Sequence, residues 1–385
     1  MAMGFGHDYK PEGDERFRSM MPLERTVAAY DGDDLVATLG DFPLQLTVPG
    51  GVQVDMAGTT MVTVQATHTR QGILRSMIRR HLDNAVERGE PVAGLWASEP
   101  GIYGRFGFGM STECHYVNID SRHMAKPAVA EGVQLAMLPA EQIHDVVAPY
   151  WHQVATERAG FIDRGAPRWQ DIINDPEPNR EGGSAARHII ARRDGQVVGY
   201  LAYRQHAKWD DFVATGGVAI NALVASDVEA HISLWAYALD VDLFPNVSFW
   251  DGAIDDPLAY HVRDARAIKR SVADALYVRI LNVESALTSR DYERDGQVVF
   301  TVTDDMGYAD GTFQLTVVDG QASIESTTSQ AEVTMGVREL GALYLGRVCA
   351  DLYTSTGDIT GDPDAIRTIG QLFATARAPW CPEMF

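Results

Sequence analysis

Met61-Val62-Thr63-Val64 passes through a short polar turn straight into a helical pattern, and this junction restricts the fold more than any other stretch. The β-branched run reads as a buried strand. From Gly72 to Glu87 the apolar residues Ile73, Met77, Ile78 and Leu82 recur at helical spacing, with Arg75, Arg79 and Arg80 between them. Pro91–Ala97 reads as the next strand, so the order is strand, turn, helix, strand. A helix that opens at such a turn has no intrahelical partners for its first backbone N–H groups. Together with the positive end of the helix dipole they form an anion site. Gly72 stands at the opening, where a Cβ would obstruct a pyrophosphate, and Arg70 adds positive charge. A plain helix start with surface arginines fits the same residues equally well.

Around this junction the chain of 385 residues divides into three segments, expected at 1–120, 121–275 and 276–385. Such a length is too great for one ordinary core. In the first segment, Arg25–Ala29 and Asp34–Gly40 flank the turn Asp31-Gly32-Asp33, and Phe42–Thr47 and Val52–Met56 flank Pro49-Gly50-Gly51. Glu113–Asp120 is its last expected strand. The second segment carries a hairpin, His188–Arg192 with Gln196–Arg204, then a strand Val218–Val224 and a helix over Asp227–Leu239. That order echoes the first segment and suggests a duplicated fold. The third has strands at Val298–Thr303, Gly311–Val318 and Ala322–Ser326, and helices at Gly336–Leu345 and Pro363–Ala374. The expected class is α+β.

Charge and cysteine content narrow the function. A formal net charge of -21 would repel the phosphates of nucleic acid and of anionic membrane surfaces, and it would attract cationic small molecules. Cys114, Cys349 and Cys381 are far apart with no CxxC pair, which points to a reducing cytoplasm and to neither a disulfide scaffold nor a zinc site. No apolar run approaches the roughly 20 residues a membrane helix needs, and the N-terminus lacks the pattern of a signal peptide. The expectation is a cytoplasmic protein without metal.

Met61–Ser76, MVTVQATHTRQGILRS, and Ala97–Gly109, ASEPGIYGRFGFG, carry a family resemblance. Thr69–Leu74 looks like the acetyl-CoA loop of GNAT acetyltransferases, and the two blocks together closely resemble the Eis-type (enhanced intracellular survival) N-acetyltransferases. The resemblance implies tandem GNAT-like mixed-sheet domains, the second degenerate, followed by a sterol-carrier-protein-like domain. It also implies acetyl-CoA as co-substrate and a homo-oligomer, a hexamer. Carried over by position, Val62 and Val64 offer backbone groups to the pantetheine arm, and Thr69, Arg70, Gly72 and Ile73 surround the pyrophosphate. Ser98 lies beside the pantetheine, and Tyr103 protonates the departing thiolate. A phenol with a pKa near 10 stays protonated at neutral pH and can donate. Read without the family, Tyr103 is one aromatic of a small core with Phe106 and Phe108.

Thr69 stands where the GNAT pattern has Gln or Arg, and Leu74 where it often has Gly or Ala. No strand precedes Arg25, so the wall of the acceptor pocket is expected from Phe5–Met20, with Asp8, Phe17 and Met61 as its contacts. In Eis-like proteins the C-terminal carboxylate is the base, which assigns that role to Phe385; its tail, Ala378-Pro379-Trp380-Cys381-Pro382-Glu383-Met384-Phe385, is stiff and apolar. His68, His115 and Asp8 are the side-chain alternatives. Expected acceptors are amines of aminoglycoside-like or polyamine-like cations. Protein lysine, a peptide amine, or a non-catalytic CoA-binding role are the rivals.

Overall fold

The computed structural model describes residues 18–347 and 350–385. Thr26–Asp31 (β1) and Asp34–Thr47 (β2) form a hairpin around Gly32-Asp33, with Gly32 at φ 59°. β2 is a single strand where the pattern predicts two, because Pro43 lies beyond Gly40, the last residue paired with β1. A proline is tolerated on a strand edge that needs no N–H donor. Gln53–Val64 (β3) pairs antiparallel with β2 and is likewise one strand. Helix Ile73–Glu87 (α1) then leads to Val92–Trp96 (β4), which runs parallel to β3. The helix buries Met77, Ile78, Leu82 and Ala85 with Ala57, Ala93 and Leu95 of the sheet, so the predicted apolar stripe is its core face. Pro100–Tyr103 (α2) and the short strand Gly109–Met110 (β5) follow.

Two bodies emerge from the chain's contacts. The first joins the described residues up to Thr112 with Arg158–Ile162 and Ala275–Phe385, and the second joins Glu113–Glu157 with Asp163–Asp274. Glu113–Asp120 (β6) therefore does not close the first sheet, as the pattern predicts, but pairs on both sides within the second. The second body also contains Gln134–Leu138 (β7), helices Ile143–Ala155 (α3) and Ala166–Asn174 (α4), and the hairpin Arg187–Arg193 (β8) with Gln196–His206 (β9). Two-residue strands, Trp209–Asp210 (β10) and Val213–Ala214 (β11), pair with each other. Gly217–Ala225 (β12), helix Val228–Leu239 (α5), Asn246–Gly252 (β13), Leu258–His261 (α6) and Ile268–Asp274 (β14) complete it. The seven strands lie in the order β14-β6-β13-β12-β9-β8-β7.

Leu276–Ile280 (β15) returns to the first body and lies between β4 and β5, giving the order β1-β2-β3-β4-β15-β5. Every one of its residues is buried, which fits its place between two other strands. The rest of the chain forms a five-stranded sheet and its helices. These are Val283–Thr288 (α7), Gly296–Thr303 (β16), Gly311–Val318 (β17), Gln321–Ser326 (β18), Val333–Gly336 (β19), Val337–Leu343 (α8), Ala350–Thr356 (α9), Ile359–Gly361 (β20) and Pro363–Phe373 (α10). Asp362 caps α10 by accepting from the N–H groups of Asp364 and Ala365, and Ile366, Ile369, Leu372 and Phe373 form its buried face.

Candidate functional site

β3 and β4 are hydrogen-bonded only from Met56↔Val92 to Gly58↔Gly94. Beyond that rung β3 continues to Val64 and β4 to Trp96 without pairing each other, so the two strands form a fork whose facing backbone edges pair with no other strand among the described residues. A β-bulge on β3 marks the open stretch: the register against β2 shifts between Thr38 and Gly40, opposite Met61, which sits at φ 53°. Thr38 donates to the Met61 carbonyl at 3.2 Å and holds the bulge in place. The side chains of Val62 and Val64 pack toward the α1 face. An extended chain laid in the fork would find free backbone donors and acceptors on β3, as an added strand does.

The turn from β3 to α1 contains two left-handed residues, Arg70 at φ 62° and Gly72 at φ 83°. Gly72 is the N-cap of α1, no side chain caps the helix, and its first turn holds no acid. The first N–H groups of α1 are thus left for a ligand, and a Cβ built on Gly72 would meet nothing within 4 Å. That clear ground above an uncapped helix start fits a diphosphate. Arg70 is exposed beside it, while the Thr69 hydroxyl donates back to the Ala66 carbonyl at 3.2 Å. Ile73 and Leu74 turn inward against the α1 core. Sequence pattern could locate this loop but not the left-handed arginine, an uncommon conformation for a residue with a Cβ.

Tyr103 ends α2 and is buried, its ring edge-on to Phe108 with centroids 6.2 Å apart. Tyr103 thus packs with Phe108 and Phe106, as its reading as a core aromatic expects. Burial, and then the charge of Glu99, raise its pKa above the ordinary tyrosine value, so the hydroxyl stays protonated. Ser98 is exposed just past the end of β4.

The tail reaches the fork from the other side of the sheet. Trp380 donates its backbone N–H to the Ala159 carbonyl at 2.9 Å and sets its ring edge-on to Phe161. Arg158 stacks on the same ring and donates to the Ala378 carbonyl at 2.8 Å. Trp96, at the end of β4, donates from its indole to the Glu383 carbonyl at 3.2 Å. The Phe385 ring lies where a Cβ on Gly58 would be 3.1 Å from it, at the last rung before the strands part. Tyr103 packs with Ala57, Ala93 and Leu95, whereas Phe385 packs with the cluster holding Met56 and Val92. Alternate residues of a strand face opposite ways, so the two groups flank the fork on opposite faces. Sequence reasoning did not find Trp96 or Gly58, since nothing local marks either one.

The remaining candidates are dispersed. Met61 is at the bulge, and Asp8 and Phe17 lie outside the described residues. His68 is near the surface, with Thr67 and Asp31 as partners. His115 belongs to β6 in the second body. In that body β12 and β13 also part company after Ile220↔Phe249, but the helix start beyond is already filled. Asp227 accepts from the Ala230 N–H at 2.8 Å, and Arg193 donates to both Asp227 and Glu229. Among the described residues, no group of His, Cys, Asp and Glu is arranged to hold a metal, and no helix is long and apolar enough to cross a membrane.

Comparison with known proteins agrees with this architecture. Residues 1–111 and 160–280 match two family models, each described as an acetyltransferase (GNAT) domain, and residues 283–382 match the sterol carrier protein domain. An uncharacterised N-acetyltransferase of Streptomyces coelicolor is 35% identical over 96% of this chain and 92% of its own length. N-acetyltransferase Eis of Mycobacterium tuberculosis is 30% identical, covering 97% of this chain and 92% of its own. The crystal structure of Eis1 from Mycobacterium abscessus superposes with a TM-score of 0.83 at 28% identity, covering 99% of this chain and 95% of that one. A GCN5-related N-acetyltransferase from Anabaena variabilis shares the fold, with a TM-score of 0.87 at 19% identity over 100% of this chain and 95% of that one. Two acetyltransferase domains followed by a sterol-carrier domain, with Eis itself aligned along nearly the whole length, mean that this chain belongs to the Eis-type N-acetyltransferases of the GNAT family.

Proposed function

We propose that the enzyme transfers acetyl from acetyl-CoA to amines of cationic small molecules, aminoglycoside-like or polyamine-like, by direct attack within the fork. The observation that carries the reaction is the fork itself, with a protonated phenol on one face and the tail on the other. The Phe385 carboxylate takes a proton from the substrate ammonium, whose free amine then attacks the thioester carbonyl carbon. As the C–S bond breaks, Tyr103 gives its proton to the thiolate; the proton then lost from the attacking nitrogen returns through solvent to the tyrosinate, and the Phe385 carboxylic acid sheds its own proton to solvent. Val62 and Val64 receive the pantetheine arm on their backbone, Ser98 borders it, and Arg70, Gly72 and Ile73 hold the diphosphate at the start of α1. The net charge of -21 supports a cationic acceptor, since an acidic surface concentrates such substrates. Release of CoA thiol on titrating cationic amines, with product mass measured, tests the class; turnover only with acetylatable peptides would overturn it.

Gly72→Glu should abolish acetyl-CoA binding in calorimetry while the protein stays folded. The substitution puts a carboxylate at the positive end of α1 and asks an L-residue to hold φ 83°. Undiminished affinity would remove the loop from the site. Titration of the intact enzyme should give one acetyl-CoA per chain, because Asp227 occupies the equivalent helix start in the second body and its charge repels phosphate. A stoichiometry of two would contradict that account.

A further inference from the structure

On the α1 face beneath the fork, five polar side chains are almost sealed from solvent: Arg25, Asp41, Thr59, His81 and Glu90. Arg25 donates to Asp41 at 2.6 Å and pairs with Glu90; the half-exposed Arg88 reaches Asp41 at 3.2 Å and Glu90 at 2.8 Å. Two guanidinium groups and two carboxylates balance there, so His81 is not needed to neutralise charge. It does something else. Its Nδ1 lies 3.2 Å from Asp41 Oδ2, close enough for attraction though off the line of a hydrogen bond, and its Nε2 lies 2.8 Å from Thr59 Oγ1. An aspartate beside Nδ1 favours the tautomer with the proton there, which leaves Nε2 to accept from the threonine hydroxyl.

Thr59 occupies a special position. It follows Gly58, the last β3 residue with a rung to β4, and its strand partner among the described residues is Asp41 on β2. Its peptide is the first of the open prong, so its side chain supplies an anchor that β4 no longer gives. Behind it, on the opposite face, Gly58 carries the Phe385 ring. Thr59 is therefore a hinge point between the tail and the open edge of β3. For stability alone, apolar packing would serve a buried site as well as a charged one.

We propose that His81 is a positioning residue for acetyl transfer: through Thr59 it fixes the apex of the β3–β4 fork, and so the separation between the thioester and the Phe385 carboxylate. This rests on the reading of the fork as the acetyl-CoA site. The test uses the full-length enzyme, whose acetyl-CoA affinity and CoA release are measured first. Thr59→Val keeps the shape of the side chain and removes only its donor, and should lower kcat by about 10- to 100-fold, the scale of a small misplacement of reacting groups. The acetyl-CoA dissociation constant should hold, because the α1 loop is untouched, and Thr59→Ser should restore kcat. Should Thr59→Val fail to fold, His81→Gln is judged by the same split, with the same loss expected. A folded variant of either kind that keeps kcat within about twofold of wild type overturns the proposal, whatever its melting temperature. A wild-type chain that binds no acetyl-CoA would instead overturn the reading beneath it.

Discussion

Tyr103→Phe should lower kcat by about 10²- to 10⁴-fold, the usual contribution of a positioned general acid. The ring would keep its edge-on contact with Phe108 and its place in the α1 core, so the fold and the acetyl-CoA affinity should survive. The pH profile gives a second check. Burial and Glu99 hold the phenol above its ordinary value, so the wild-type rate should not fall for want of this proton until pH passes the ordinary tyrosine range. In Tyr103→Phe that alkaline limb should vanish. A loss below about threefold in kcat would return Tyr103 to a purely packing role.

Extending the chain beyond Phe385 by Gly-Ser should be nearly as damaging. The extension replaces the carboxylate at Phe385 by a neutral amide and carries the new terminus several ångströms away. Deleting Phe385 withdraws the carboxylate by up to about 3.5 Å and removes the ring from Gly58. A base must lie within hydrogen-bond reach of its proton, so kcat should drop by about 10²-fold or more in both variants. Acetyl-CoA should still bind. Melting temperature separates this from unfolding: Trp380, Cys381 and Glu383 are buried and stay in both variants, as does the Trp96 contact to Glu383. A folded, extended enzyme with full kcat would send the search for a base to His68, His115 and Asp8.

The parts of this molecule that were legible in the sequence are those written in consecutive residues. The α1 stripe, the Gly72 opening and the hairpin of His188–Arg192 with Gln196–Arg204 follow from period and turn chemistry, and the structure has each. Helix α3 went unread, with Pro149 lying inside its pattern. β2 looked like two strands parting after Gly40, yet Gly40 is still paired with Thr26 and the strand runs on through Pro43, which lies past the end of β1. The fork could not be read at all: it is the absence of rungs between strands separated by a helix. The same holds for Trp96 under the tail and for His81 behind Thr59, whose partners are distant in sequence. Local pattern identifies elements, while a site made by where elements stop touching is a tertiary fact.

The return of β15 to the first sheet has a consequence for synthesis. That strand lies between β4 and β5, yet the ribosome delivers it only after the whole second body. Until residue 280 has emerged, the nascent chain holds the Gly72 loop and Tyr103 with β4 lacking its neighbour on that side. Sheets whose partners are far apart in sequence close slowly, and strands waiting for a partner are open to mispairing. The second body, drawn from residues 113–274, can assemble first and tether the two ends of the gap. Residues 1–111 expressed alone would thus emerge as an aggregation-prone fragment, whereas pausing translation after β15 should yield protease resistance in the first sheet.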